Sequence, residues 1–318
     1  MNIVTGSATA LAVLLVLGGC AASPNPESGE SPSSEAADFT GVPLVPAEGV
    51  YLGMYYGDRE AAETDDAIGV TPQIHLTYFG WEDPWATDMT LTDDLARGQI
   101  SLVNWEPFEV NFADIVDGTF DGMLTQRARQ AAELTQPVFL DFAAEMNEEE
   151  GWGGHDPELY VAAYRHIHDI FDANDANQIV WVWAPNNVDS QNAPAALEYY
   201  PGDDYVDWTG IDGYNWGTSD PNFEWQSFES VFRGMYDDLH GLGKPIIIGE
   251  MASAEEGGSK PQWIEHVVPT LEQEFSDIRA VVWFDVDKER DWRIRSSLAA
   301  EAAFADVAAD PLFRSVQP

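Results

Sequence analysis

Positive charge is the scarcest property of this chain. Its 318 residues hold 14 Lys and Arg against 56 Asp and Glu, a formal net charge of −42. Lysine occurs only at Lys244, Lys260 and Lys288. So acidic a surface repels phosphate backbones and anionic headgroups, which argues against nucleic acid and against direct membrane-surface binding. It stays soluble where salt screens its self-repulsion, so a halophilic or salt-tolerant setting is expected. Cysteine is nearly missing: Cys20 stands alone, which excludes an intrachain disulfide. The apolar stretch that ends at Leu17 is too short to span a bilayer. No phosphate-cradling glycine loop or nucleophilic Ser/His pattern is present. His166 and His168, two apart on a predicted helix, face different sides. Residues 285–291 alternate oxygen ligands like a calcium loop, but Arg290 stands where the sharp turn needs glycine. Neither a metal nor a cofactor is therefore expected.

What is present at the N-terminus reads as an address. Residues 1–19 resemble a signal peptide, with an apolar region followed by small residues. Leu17-Gly18-Gly19-Cys20 resembles a bacterial lipobox, with Cys20 as the lipid-bearing residue, although the first ten residues lack the usual Lys or Arg. Residues 20–45, rich in Ser, Pro, Gly and Glu, read as a disordered linker. The expectation is an exported protein, extracellular or at the cell surface, tied to the membrane only through a lipid and acting as a monomer.

Over 46–318 short apolar runs alternate with amphipathic ones, as in consecutive βα units. Strands are predicted over 50–56, 73–79, 99–105, 138–142, 179–184, 206–213, 245–249 and 278–284. Helices are predicted over 123–134, 157–174, 228–242, 261–275 and 297–308, and Pro157 and Pro261 suit first helical turns. The first two connections read as poorly helical. Eight strands in a single domain of this length predict an α/β fold, a (β/α)8 TIM barrel.

Two glutamates stand out from the 56 acids. Glu145 closes Pro137-Val138-Phe139-Leu140-Asp141-Phe142-Ala143-Ala144-Glu145, and Glu250 closes Pro245-Ile246-Ile247-Ile248-Gly249-Glu250. Each therefore sits at the C-terminal end of a predicted barrel strand, the face on which such barrels build active sites. A pair of carboxylates there suits glycosidic bond cleavage, one giving a proton to the leaving oxygen and the other attacking or stabilising the sugar cation. Trp81, Trp105, Trp152, Trp216 and Trp283 fall on the same face, an aromatic set suited to sugar rings. Glu106 is a third carboxylate there, placed to bind hydroxyls or to pair with an arginine.

The segments around these residues resemble glycoside hydrolase family 26, a barrel family. Phe139 to Asn147 with Trp152 resembles its acid/base segment, and Val180-Trp181-Val182-Trp183-Ala184-Pro185-Asn186 its fifth strand. Gly210-Ile211-Asp212-Gly213-Tyr214-Asn215 resembles the sixth, Lys244 to Glu250 the nucleophile strand, and Val281-Val282-Trp283-Phe284 the eighth. Asn104-Trp105-Glu106-Pro107 resembles the end of the third. The resemblance implies that Glu145 is the acid/base and Glu250 the nucleophile, that Tyr214 hydrogen-bonds Glu250, and that Trp283 floors the adjacent subsite. Two positions depart from the pattern. Ala144 replaces a His commonly found before the acid/base, and Asp141 replaces an Arg four residues before it. The lost histidine removes a sugar-contacting donor, for which Asn147 is a candidate substitute.

The resulting expectation is a retaining endo-β-glycanase that acts on a polysaccharide, with endo-β-1,4-mannanase first. A β-1,3-1,4-glucanase is the second reading, and a catalytically silent polysaccharide-binding lipoprotein the third. Expected substrate contacts are Tyr214, Trp283, Asn147, Trp152, Trp105, Glu106 and Trp216.

Overall fold

The computed structural model describes residues 37–148 and 152–314. The signal segment 1–19, Cys20 and the first part of the expected linker lie outside the described residues.

Eight parallel strands close on themselves in chain order: β1 (Tyr51–Tyr55), β2 (Ile74–Gly80), β3 (Ile100–Glu106), β4 (Val138–Phe142), β5 (Ile179–Trp183), β6 (Trp208–Asn215), β7 (Ile246–Ser253) and β8 (Ile278–Phe284). Every pairing is parallel, including the β1–β8 pair that seals the barrel. The predicted (β/α)8 fold is the observed one. Its inward and outward side chains alternate along each strand, as the pleat requires. Ile74 and Leu76, Ile100 and Leu102, and Val180 and Val182 fill the interior. Their neighbours, among them Leu140, Phe142 and Trp183, pack against the helical layer.

That outer layer holds α1 (Ala61–Ile68), α2 (Met89–Arg97), α3 (Phe112–Val116), α4 (Asp121–Ala131), α5 (Pro157–Asp172), α6 (Phe228–His240), α7 (Lys260–Glu265), α8 (Val267–Gln273) and α9 (Leu298–Ala308). The first two connections are helical, which corrects the sequence expectation. Asp88 caps α2 through the Thr90 amide, and left-handed Gly69 and Gly98 end α1 and α2. The single helix expected over 261–275 is broken at His266. Pro269 has no N–H to give the carbonyl of Glu265, so the ladder is interrupted there.

The N-terminal end of the barrel is sealed. Leu44 joins the interior cluster, and Trp208 Nε1 donates to the Pro43 carbonyl at 2.8 Å. The Arg279 guanidinium lies over the ring of buried Phe39, 5.4 Å from its centroid. Residues 37–45 are thus part of the packed domain, and the expected linker boundary at 45 moves toward the N-terminus. Apolar Phe39 and Leu44, set among Ser and Pro, find a core to enter.

Candidate active site

β4 delivers its glutamate through an unusual turn. After Phe142 the chain passes through left-handed backbone at Ala143 (φ 55°) and Glu145 (φ 58°). For residues with a Cβ this conformation costs energy and persists only where the surroundings hold it. The Ala143 amide donates to Trp105 O at 3.1 Å, and that of Glu145 to Ala184 O at 2.8 Å. Trp152 Nε1 donates to Ala144 O at 2.7 Å. The adjoining strands and the Trp152 indole therefore set the direction of Glu145.

β7 delivers its glutamate through a bulge. Ile211 pairs with Ile248 but Asp212 with Glu250, so Gly249 is the extra residue. Ile247 points inward, and strict alternation would turn Glu250 outward; the bulge returns it to the interior face. Glycine fits there without displacement, whereas a Cβ on Gly249 would lie 2.6 Å from Asp212 Oδ1 and force that buried carboxyl to shift.

The two carboxylates line one narrow cleft of about 110 Å³ at the C-terminal mouth, with Tyr78, Asn104, Glu106, Ala144, Glu148 and Trp152. Their surroundings differ. Glu250 is buried and accepts from two phenols, Tyr78 on one oxygen and Tyr214 on the other. Glu145 Oε1 accepts from Asn186 Nδ2 at 2.9 Å, and the second proton of that amide goes to Glu148 Oε1, also at 2.9 Å. Burial, then the charge of Glu250, then that of Glu148 push the Glu145 carboxyl well above its ordinary range. Burial also lifts Glu250, but Tyr214, Tyr78 and the Lys288 ammonium pull it back. The pair is therefore biased toward a protonated Glu145 beside an ionised Glu250. Glu106, which lines the same cleft, is pushed up to about 7 by burial and by Glu250, with Lys288 opposing. Beneath the cleft Asp141 and Asp212 are fully enclosed, and burial drives both well upward. Asp141, with its carboxyl pushed toward the protonated form by burial, thus stands where the family pattern has a cation.

The predicted contacts divide into two groups. Tyr214, Trp152 and Glu106 are at the site, and Trp216 stands beside it, edge-on to Tyr214 and Trp292. Trp105, Trp283 and Asn147 require correction. Trp105 and Trp283 are wholly buried with their rings among the helices: Trp105 stacks on Trp81 at 4.8 Å, and Trp283 meets Trp263 and Phe304. Each has the outward parity of its strand. The inward neighbours Glu106 and Phe284 face the mouth instead, and Phe284 stacks on Tyr55 at 5.0 Å. Asn147 is also fully buried. It does not replace the absent histidine but braces the loop after β5, its Oδ1 accepting from the Asn186 amide and its Nδ2 donating to Asn186 O and Asp189 Oδ1. Glu106 makes no arginine pair among the described residues.

Sequence reasoning missed Tyr78, Asn186 and Glu148. Tyr78 carried a readable signal, since Ile74-His75-Leu76-Thr77-Tyr78 alternates and puts Tyr78 on the inward face. Among the described residues no cluster of His, Cys, Asp or Glu is arranged to hold a metal ion.

The model of glycosyl hydrolase family 26 matches residues 108–306. Endoglucanase H of Acetivibrio thermocellus is 40% identical over 238 residues, 72% of this chain and 26% of that protein. The mannan endo-1,4-beta-mannosidase of Bacillus subtilis is 30% identical over 152 residues, 44% of this chain and 38% of the relative. The chain thus spans between a quarter and two fifths of these curated relatives. Among solved structures, an endo-beta-1,4-mannanase of Cellulomonas fimi superposes with a TM-score of 0.63 at 16% identity, over 83% of this chain and 71% of that one. At that identity the likeness speaks for the fold alone.

Proposed function

Since the chain belongs to glycosyl hydrolase family 26, we propose that it is a retaining endo-β-glycanase with Glu145 as acid/base and Glu250 as nucleophile. One observation carries this reading: the two glutamates share a cleft but not an environment, Glu250 being held by two phenols and Glu145, among the described residues, by the Asn186 amide. In the first step a Glu250 oxygen attacks the anomeric carbon, while Glu145 gives its proton to the departing glycosidic oxygen. The product is a covalent glycosyl ester on Glu250 and a free sugar chain. In the second step Glu145, now ionised, takes a proton from water, which displaces the ester oxygen and restores both carboxyl groups. Two inversions leave the anomeric configuration retained.

For the substrate we place a mixed-linkage β-glucan ahead of a β-mannan. Support comes from the higher identity to an endoglucanase and from Ala144, which lines the cleft without a hydrogen-bonding side chain where the family pattern has histidine. The mannanase relatives favour the second reading. Mass analysis of products from lichenan, mannan and xylan decides between them. Oligosaccharides from lichenan with the β-anomer released first are expected. Products from mannan alone would transfer the assignment to a mannanase, and no product from any polysaccharide would favour the silent binder.

Export, lipidation at Cys20 and action as a monomer belong to the same proposal. Their support is sequence alone: the apolar leader, the lipobox-like Leu17–Cys20 run and the strongly acidic surface. Fatty-acid labelling that is lost on Cys20→Ser would be the expected result in a bacterial host.

A further inference from the structure

We propose that Glu148 is a positioning residue for the proton donor, acting through the Asn186 amide that it shares with Glu145. This inference rests on the acid/base reading of Glu145. It extends that reading to a carboxylate that takes no part in bond exchange.

The geometry is specific. Both protons of Asn186 Nδ2 are used, one on Glu145 Oε1 and one on Glu148 Oε1, each at 2.9 Å. The two carboxylates are therefore within about 6 Å of each other. Asn186 itself cannot drift, because Asn147 grips its backbone N–H and carbonyl and is anchored in turn on Asp189. The Glu148 amide returns to Glu145 O at 3.1 Å, so the turn between them is closed as well.

An amide donor favours the ionised form of a carboxylate, which is the wrong state for a proton donor at the start of a turnover. Sharing the amide with a second carboxylate offsets this. Glu148 is exposed, and its carboxylate charge acts on Glu145. Held beside Glu145, that charge opposes loss of the Glu145 proton. Once the proton has gone to the leaving group, the same charge makes Glu145 the stronger base toward water.

Other charges face Glu145 too: Glu250 from β7, Asp212 and Tyr214 from β6, and Lys288 from the segment after β8. Glu106 and Tyr78 line the same cleft. Glu250 and Asp212 are buried and Tyr214 half-buried, so salt screens them little, whereas Glu148 and Lys288 are open to solvent. Of these two, only Glu148 shares a hydrogen-bond donor with Glu145 among the described residues.

The test is the pH profile of kcat/KM on the polysaccharide found in the product panel, for wild type, Glu148→Gln and Glu148→Ala. The basic limb of that profile reports the acid of the free enzyme. Gln keeps an acceptor for Asn186 and removes the charge. At low ionic strength its basic limb should move down by about half to one pH unit, the size expected of a like charge at this separation near solvent. In 1 M NaCl the wild-type limb should approach that of the variant, because an exposed charge is screened. Glu148→Ala should show the same shift and also lower kcat, since it leaves one Asn186 proton without its partner. A basic limb that stays put in both variants overturns the inference while leaving Glu145 as the acid. Glu145→Ala run alongside separates the two claims. Equal loss on activated aryl glycosides and on polysaccharide would remove Glu145 from the acid role, and the inference with it.

Discussion

At the residue scale, two glutamates of the same chemistry are made unequal by what donates to them. Glu250→Ala is expected to lower kcat by several orders of magnitude, and azide should restore turnover by filling the vacated space. The rescued product would be a glycosyl azide of inverted configuration, identifiable by NMR; a retained azide or undiminished activity would remove Glu250 from the nucleophile role. Glu106 yields a prediction about stability. Its folded pKa of about 7 lies above the ordinary carboxylate value, so the folded state binds its proton more tightly than the unfolded chain does. Below about pH 4 both states are protonated and the site costs nothing. As pH rises toward 7 only the unfolded chain ionises freely, so stability falls, and above 7 the deficit stays constant. Glu106→Gln should therefore raise Tm relative to wild type at pH 8 and leave it unchanged at pH 4, by parallel thermal melts. Much at this scale was legible. Glu145 and Glu250 could be found because each ends an apolar run, and Tyr214 by its place in a recognisable strand. Trp105 and Trp283 misled because strands buried on both faces read as unbroken apolar runs, which hides the parity that separates mouth from helical layer. Glu148 could not be found, since nothing local distinguishes it among 56 acids.

At the element scale, the strands were the clearest part of the sequence and the bulge in β7 the least clear. Pro245-Ile246-Ile247-Ile248-Gly249-Glu250 announces a strand, yet nothing in it says that Gly249 will be skipped in the register with β6. That depends on Asp212 on the neighbouring strand, which occupies the space a Cβ would need. Gly249→Ala is expected to destabilise the domain by about 1–3 kcal/mol, as overpacking of a filled interior does. It should also reduce kcat more than it raises KM, because Glu250 is re-aimed; denaturant melts and steady-state kinetics read the two effects. The missed helices have a similar cause. α1 and α2 are short and acidic, and only their ends carry signals, Asp88 at one end and Gly69 and Gly98 at the others. A search for periodicity passes over helices of eight and nine residues more easily than over α5, with sixteen.

At the scale of the whole molecule, net charge governs conditions and not fold. A formal charge of −42 on the whole chain, most of it carried by the barrel domain, opposes the compact state, and the opposition weakens as the Debye length shrinks from about 10 Å in 0.1 M salt to about 3 Å in 1 M. Tm is expected to rise between those two NaCl concentrations in a calorimetric scan, and a flat or falling Tm would remove the salt-tolerant reading. The barrel closure with Leu44 and Pro43 has a consequence of its own. Residue 37 stands at this plugged floor beside Arg279, at the end of the barrel away from the glutamates. With that floor closed the mouth is a blind end, so anything as long as a polymer chain has to lie across the rim and cannot run along the barrel axis.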